Sequence, residues 1–343
     1  MSAPVIAFFN NKGGVGKTSL VYHVAWMMAR KRVRVVAADL DPQANLTANF
    51  LDEDELEELW PDGIASTTPG RTVYGSLTPL IRGVGDIAEP PVVEVDNRLY
   101  LIPGDLALSR FEDDLSNQWP DCLDGKERAF RVISAFWRLL TRAAQQTECD
   151  VVLVDVGPNL GAINRSAIVA ADSLVIPLAP DLFSVQGLQN LGPTLRQWRA
   201  QWSARLPKNP DPRLELPAGQ MAPLGYVLLG HGVRLGKPVQ AYERWMARIP
   251  RVYREAVLDV VEPTPAVGDD PYCLGQIKHY RSLIPLAYEA RKPVFALKPA
   301  DGAFGGHQAA VAVATADFAA LTERILGEVK LRVPGSSPTT GAA

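Results

Sequence analysis

The stretch NKGGVGKT, residues 11–18, decides how the chain folds. It follows an apolar run at residues 5–10 and precedes residues 19–30, whose apolar side chains recur at helical spacing. A glycine-rich segment between a strand and a helix lets backbone N–H groups converge on phosphate oxygens, and the helix N-terminus adds positive potential. The stretch therefore predicts a phosphate-binding loop in a nucleotide-binding α/β fold.

Two side chains at the end of this loop predict contacts with the reacting end of a nucleotide. Lys17 is expected against the β- and γ-phosphates, and the Thr18 hydroxyl is expected to bind Mg²⁺. The residues predicted to surround the nucleotide are Asn11, Gly13, Gly14, Val15, Gly16, Lys17, Thr18 and Ser19.

The rest of the chain alternates between short apolar runs and helical patterns. Predicted strands lie at residues 34–39, 98–103, 151–155, 173–178, 224–229, 273–277 and 293–297. Predicted helices lie at residues 126–146, 162–171, 185–202, 240–257 and 308–326. Strands that alternate with helices predict an α/β fold with a mostly parallel twisted sheet and helices on both faces. Together with the loop at residues 11–18, this fold is expected to be of the P-loop NTPase type.

The loop departs from the usual phosphate-binding pattern, because Asn11 occupies the first glycine position and a second lysine, Lys12, follows. In this it resembles the deviant Walker A, or ParA/MinD, family of P-loop ATPases, and in particular the ParA-like partitioning ATPases. The resemblance implies ATP as the nucleotide and a sandwich dimer in which Lys12 reaches the partner's phosphates. A cation supplied in trans can neutralise phosphate charge, and it makes dimerisation depend on bound ATP.

Acidic residues that end two predicted strands also match this family. Residues 38–45, ADLDPQAN, look like its switch I element. By this resemblance Asp41 is tied to the attacking water, and Asp39 belongs to the magnesium shell and the switch geometry. Residues 151–155 have the Walker B form, so Asp155 is expected to contact Mg²⁺ through water. The catalytic candidates are Lys12, Lys17 and Asp41.

Residues 156–161, VGPNLG, resemble the family's switch II. Gly157 stands where the family often has a first proline, which predicts a more mobile loop. The resemblance covers residues 3–50, 98–230 and about 273–327, with a looser match near residues 276–280, where the adenine contact is expected. It predicts one domain over residues 1–332, inserts near 51–97 and 231–272, and a flexible tail at 333–343.

The charge of the chain is unevenly distributed. The 343 residues carry a net charge of −3, which gives no overall electrostatic reason to bind nucleic acid. Residues 231–298, however, hold 11 lysines and arginines against 7 acids, a net charge of +4. Four arginines recur there at spacings of three and four, and they predict a cationic face that could contact DNA phosphates: Arg244, Arg248, Arg251 and Arg254. A solvated face with acidic ion partners remains the alternative.

The predicted function is that of a cytoplasmic, Mg²⁺-dependent ATPase that dimerises with ATP and partitions a plasmid, a chromosome or another cargo. A stimulating partner protein is expected, and DNA binding would make the protein nucleoid-associated. The alternative is a regulatory or scaffold switch that binds ATP and signals through a partner. No membrane association is expected, because the chain has no apolar run of 18 residues and residues after 326 do not form an amphipathic pattern.

Overall fold

The fold is described from a computed structural model, which covers residues 3–61, 71–231, 239–280 and 282–330. The predicted tail at 333–343 lies outside the described residues. So do residues 62–70 and 232–238, which belong to the two predicted inserts.

The described residues form an eight-stranded sheet with the order β3-β4-β2-β5-β1-β6-β7-β8. The strands are β1 (Val5–Phe8), β2 (Val35–Asp39), β3 (Val93–Asp96), β4 (Leu99–Ile102), β5 (Val151–Asp155), β6 (Ser173–Leu178), β7 (Ala222–His231) and β8 (Cys273–Lys278). Every neighbouring pair is parallel except β3 and β4. The sheet confirms the predicted α/β class.

The central strands are buried along their whole length, because helices cover both faces of the sheet. Ile6 and Phe8 of β1 belong to one apolar cluster, while Val5 and Ala7 belong to the other. The alternation of side chains along a strand therefore places every residue of β1 in a core.

The helices are α1 (Lys17–Arg30), α2 (Asn45–Phe50), α3 (Glu53–Leu59), α4 (Val73–Ile81), α5 (Phe111–Asp121), α6 (Glu127–Ile133), α7 (Ala135–Thr147), α8 (Ala162–Val169), α9 (Leu182–Arg205), α10 (Val239–Met246), α11 (Ile249–Val252), α12 (Ile284–Ala290) and α13 (Gly306–Glu328). Helices α1 and α13 pack in one apolar cluster, and α5 to α9 pack in the other. No helix in the described ranges is both long and apolar enough to span a bilayer.

Three predicted elements differ from the structure, and one of them is the helix predicted at 240–257, which is interrupted. The helix predicted at 126–146 is divided into α6 and α7 at Ser134, whose hydroxyl donates to the Phe130 carbonyl at 2.6 Å, a contact that favours bending. The strand predicted at 293–297 is wrong, because Val294–Ala296 forms a 3₁₀ turn. Its apolar side chains are buried against α1 and α13 instead of in the sheet, and a short apolar run cannot distinguish these outcomes.

Candidate nucleotide-binding site

The predicted site residues meet at one edge of the sheet. Strands β1, β2 and β5 are neighbours, and their register pairs Asp155 with both Phe8 and Asp39. The phosphate loop, switch I and the Walker B acid therefore begin at the same level, at the carboxyl ends of parallel strands, where α/β proteins bind ligands.

The phosphate loop is held by its own backbone geometry and by a neighbouring strand. Gly14 has φ 71° and Gly16 has φ 89°, both in the left-handed region that favours glycine. Asn10 is buried, and its Nδ2 donates to the Pro177 carbonyl at 2.6 Å while its Oδ1 accepts the Lys12 N–H at 3.0 Å. These two bonds fix the start of the loop to β6.

Lys17 is buried beside two of the predicted acids. Its side chain lies at the N-terminus of α1, and the residue is only 7% exposed. Burial lowers the pKa of Lys17 from its ordinary value, while the charges of Asp155 and Asp41 act in the opposite direction. The acids therefore favour a charged ammonium group next to the phosphate loop.

Asp155 has the properties expected of a residue that serves a cation. Both carboxylate oxygens are buried, and neither accepts a hydrogen bond from any described residue. Burial, followed by the charge of Asp39, raises the pKa of Asp155 well above its usual range, and the Thr18 hydroxyl and Lys17 oppose this. A buried carboxylate without a donor, near a hydroxyl, fits a Mg²⁺ site.

The donor set at this edge of the sheet also fits Mg²⁺. Within the described ranges, no group of three or more His, Cys, Asp or Glu side chains is arranged to enclose a metal ion. Mg²⁺ in nucleotide sites uses few protein ligands, because phosphate oxygens and waters complete its octahedron. Thr18 and Asp155 are the side chains that could serve it here.

Asp39 fastens switch I to the sheet. One carboxylate oxygen accepts both the N–H and the hydroxyl of Thr47 at 2.8 Å, and the other accepts the Asp41 N–H at 3.2 Å. Burial raises the pKa of Asp39 to about 7, while the bonds from Thr47 lower it. A Cβ on Gly104 would come within 2.9 Å of the Asp39 carboxyl carbon, so glycine is required for this approach. These contacts support the switch-geometry part of the prediction for Asp39, and its place in a magnesium shell stays a prediction.

Asp41 lies where switch I meets switch II. Its Oδ1 accepts the Gln43 N–H at 3.0 Å. A Cβ on Gly157 would be 3.3 Å from the same oxygen, so the missing side chain of Gly157 leaves room for the carboxylate. Gly157 thus has a steric role that is separate from the predicted mobility of the loop.

Two side-chain contacts that hold switch II and the helix after it could not be found from the sequence. The Asn164 amide, on α8, donates to the Gly157 carbonyl at 2.9 Å and to the Asn159 carbonyl at 2.7 Å. Glu112, on α5, accepts the N–H groups of Ala162 and Ile163 and so caps the helix that follows the loop. An asparagine within a helical pattern gave a weak signal for the first contact, and the second joins residues about fifty positions apart.

Lys12 is ion-paired within its own chain. Its Nζ contacts a carboxylate oxygen of Asp181, and it lies 5.7 Å from the centre of the Phe183 ring. Asp181 also caps α9, since its other oxygen accepts the Ser184 N–H at 2.8 Å. Phe183 and Leu160 are exposed, so apolar surface accompanies Lys12 at the phosphate-loop face.

Three of the four arginines predicted to form a cationic face lie on the surface. Arg244, Arg248 and Arg251 are exposed, and the first two flank the Trp245 ring at 5.2 and 5.1 Å. The helix predicted at 240–257 is interrupted, with α10 and α11 followed by a π-helical segment at Tyr253–Leu258.

Arg254 does not belong to this face, and its prediction is corrected. The residue is 3% exposed, and its guanidinium forms two bonds to Asp270, at 2.8 and 3.1 Å. Tyr226 of β7 donates to the same carboxylate at 2.7 Å. The change of backbone geometry after α11 turns Arg254 inward, where it ties the segment to the sheet.

His23 connects α1 to the 3₁₀ turn at Val294–Ala296. Its Nδ1 lies 2.6 Å from the Ser19 carbonyl, and its Nε2 lies 3.2 Å from the Val294 N–H. These partners require a neutral ring with the proton on Nδ1. Burial lowers the pKa of His23 to about 4, against a bond to Ser19 that raises it, which fits a structural role for this histidine.

We expect His23 to make the free energy of unfolding depend on pH. Because its pKa is about 4 in the folded chain and 6.5 when unfolded, the unfolded state binds more protons below pH 6.5. The stabilisation is present at pH 7 and falls by about 2 kcal/mol by pH 5. Urea unfolding gives the free energy of unfolding of wild type and of His23→Gln at pH 7 and pH 5. The advantage of wild type over the variant should be smaller at pH 5 by this amount.

The comparison between variants removes the contributions of Asp39 and Asp155, which titrate in both proteins. His307→Gln is the matched control, because His307 lies at the start of α13 and is partly exposed. An equal pH response in wild type and His23→Gln would contradict the structural assignment of this ring.

Residues 3–207 match the AAA domain family, AAA_31. The chromosome partitioning protein ParA of Myxococcus xanthus is 28% identical over 191 residues, covering 56% of this chain and 57% of that protein. ParA of Caulobacter vibrioides is 28% identical over 207 residues, covering 59% and 66%. The chain thus spans 42% to 66% of the length of three of the curated relatives it matches.

Solved structures show the same fold over nearly the whole chain. Protein DIP2308 of Corynebacterium diphtheriae is 26% identical with a TM-score of 0.71, covering 95% of this chain and 98% of that one. The ATP complex of Cyanothece McdA(D38A) has a TM-score of 0.61 at 15% identity, with 96% and 98% covered, and shows the fold alone. Together the matches confirm the predicted resemblance to ParA-like P-loop ATPases.

Proposed function

Because the chain belongs to the AAA domain family and has a ParA-like P-loop fold, we propose that it is a Mg²⁺-dependent ATPase that dimerises around ATP and positions DNA or another cargo. One observation carries the proposal. The buried Lys17 lies at the phosphate loop within electrostatic reach of Asp41 and Asp155, so a lysine and two carboxylates meet where a triphosphate would end.

Each group at this edge has a role that its chemistry supports. The N–H groups of residues 13–18 would cradle the phosphates, and Lys17 would neutralise charge that develops on them. Thr18 and Asp155 are the groups that would hold Mg²⁺, which supplies further charge neutralisation when bound. Asp41 would orient the attacking water, because it is the acid that lies where both switches meet.

The face around Lys12 supports the proposed dimer. Lys12 is part-exposed and pairs with Asp181, and the exposed side chains of Leu160, Leu182 and Phe183 lie in the segments beside it. A second copy that approached with ATP would cover this apolar surface and offer its phosphates to Lys12. The dimer would therefore form only when nucleotide supplies the negative charge.

The arginine face supports contact with DNA in the proposed function. Arg248 and Arg251 border a groove of about 690 Å³ whose other lining includes Met246 and Val267. Arg251 is exposed, and its ion partner Glu255 lies 3.8 Å away, so the pair is loose and screened by solvent. Glu243 also lines the groove. Exposed guanidinium groups of this kind bind phosphates without reading sequence.

We expect Arg248→Ala/Arg251→Ala to weaken DNA binding in the ATP state. Each lost phosphate contact should make the slope of log K against log salt shallower by roughly 0.9. Fluorescence anisotropy with a random duplex, measured with ATP and with ADP across a salt series, would give both quantities. Arg213→Ala is the matched control, since Arg213 is highly exposed but lies in a loop outside this face.

Two outcomes would count against the DNA-binding part of the proposal. Equal losses in the double variant and in Arg213→Ala would show that the face is not the contact. No binding by wild type in either nucleotide would favour a regulatory or scaffold switch that binds ATP and signals through a partner protein.

A further inference from the structure

We infer that Asn164 is a positioning residue for ATP hydrolysis, which holds switch II so that Gly157 lies against Asp41. The inference rests on the proposed function, because it concerns the same site and the same reaction. Asn164 would contact neither ATP nor the attacking water, and it would act through the loop that borders Asp41.

The Asn164 amide is the internal anchor of switch II. The residue is 1% exposed, and its Nδ2 lies 2.9 Å from the Gly157 carbonyl, 2.7 Å from the Asn159 carbonyl and 3.1 Å from Asn159 Oδ1. The Asn164 side chain thus bonds to Gly157 and to Asn159, the first and last residues of the stretch 157–159.

The orientation of this amide is fixed by its surroundings. Its nitrogen faces three oxygen acceptors, so a flipped amide would place oxygen against oxygen. Its Oδ1 is buried and accepts no hydrogen bond from any described residue. The buried Oδ1 is therefore left without a hydrogen bond while Nδ2 holds the loop. An unpaired buried acceptor costs free energy, which is unusual for a residue whose only role is to fill space.

The anchored loop is close-packed against the catalytic candidate. A Cβ on Gly157 would lie 3.3 Å from Asp41 Oδ1 and 3.5 Å from Asn164 Nδ2. Asp41 Oδ1 and Asn164 Nδ2 therefore both lie close to the α-carbon of Gly157. If the Asn164 bonds are lost, the Gly157 backbone is free to move toward or away from the carboxylate.

The far end of the loop has a separate anchor. Glu112 bonds to the N–H groups of Ala162 and Ile163 at 2.5 and 2.8 Å and holds the first turn of α8. Asn164 is therefore not needed to keep the helix in place, and its removal should affect the loop between residues 157 and 161. This separation allows a positioning role to be distinguished from a general role in packing.

Asn164→Ala tests the inference through a split between kcat and KM. We expect kcat for ATP to fall roughly 10- to 100-fold, because a shift of about 1 Å in a reacting group has such an effect. KM for ATP should stay within about twofold of wild type, and the mass of the ATP-bound protein should equal that of wild type, since the phosphate loop is not touched. Asn164→Asp, which keeps the shape but replaces both donors with an acceptor, should be slowed at least as much.

Ser166→Ala is the matched control. Ser166 lies on the same helix, is equally buried and loses one hydrogen bond, to the Ile133 carbonyl at 2.7 Å, which lies away from switch II. Its kcat should stay within about twofold of wild type. A loss of kcat equal to that of Asn164→Ala would show that Asn164 only supports helix packing, and would overturn the inference.

Gly157→Ala keeps the inference testable if the Asn164 variants fail to fold. It removes no hydrogen bond, but its Cβ would lie 3.3 Å from Asp41 Oδ1, so the carboxylate must shift by a few tenths of an ångström, and kcat should fall while KM is retained. Wild-type kcat in Gly157→Ala, or in folded Asn164→Ala, would overturn the inference while the ATPase assignment stands. A wild-type protein that does not turn over ATP would overturn the proposed function and this inference with it.

Discussion

Lys17→Ala should abolish ATP binding. The lysine is buried at the end of the phosphate loop, within electrostatic reach of the acids Asp41 and Asp155. Without it, the phosphates would lose the lysine charge that offsets the two carboxylates, and Mg²⁺ alone would have to neutralise them. The loss of charge-assisted contacts to two phosphates should weaken binding roughly 100-fold or more.

Isothermal titration with ATP and Mg²⁺ measures this effect. Lys126→Ala is the matched control, because Lys126 is an exposed lysine that pairs with Asp121 far from the loop in sequence. The control should bind as wild type does. Tight ATP binding by folded Lys17→Ala would show that residues 11–18 do not form the nucleotide site.

Asp41→Ala should bind ATP but turn it over very slowly. The side chain lies between switch I and Gly157 of switch II, and it makes no hydrogen bond that holds the phosphate loop. Loss of a group that orients or deprotonates the attacking water costs roughly 100- to 10,000-fold in rate. The affinity for ATP should remain or rise, because one negative charge is removed from the site.

Phosphate release at saturating ATP measures this second effect. Asp54→Ala is the matched control, since Asp54 is an exposed acid at the start of α3. The control should retain wild-type turnover. Unchanged turnover in Asp41→Ala would move the catalytic role to another group.

The residues of the phosphate site could be predicted because their signals are local. A glycine-rich loop between a strand and a helix can be recognised from residue spacing alone. Acids that end neighbouring parallel strands must meet at one edge of the sheet. The register of Asp39 with Asp155 then follows from the order of the strands.

The remaining contacts depend on tertiary packing. The bond of Asn164 to Gly157 and the cap that Glu112 provides for α8 join segments whose relation is set by the whole fold. The same limit explains the error over Arg254, because a regular three- and four-residue spacing predicts one helical face only if the helix is continuous. Here the π-helical segment after α11 rotates Arg254 inward to Asp270.

Switch II shows what the sequence revealed about Gly157 and what only the fold revealed. Its sequence revealed that Gly157 departs from the family pattern, and the expected consequence was mobility. The structure shows that a side chain at this position would crowd Asp41. Only the folded chain could reveal this consequence, since residues 41 and 157 are far apart in sequence.

Mass in solution, measured by light scattering with ATP and Mg²⁺ and with ADP, tests the proposed ATP-dependent switch. Wild type and Asp41→Ala should have the mass of a dimer with ATP, and Asp41→Ala should remain dimeric for longer because it hydrolyses ATP slowly. Both should be monomers with ADP, and Lys12→Ala should be a monomer with either nucleotide. A mass that does not change between ATP and ADP in Asp41→Ala would contradict the proposed switch.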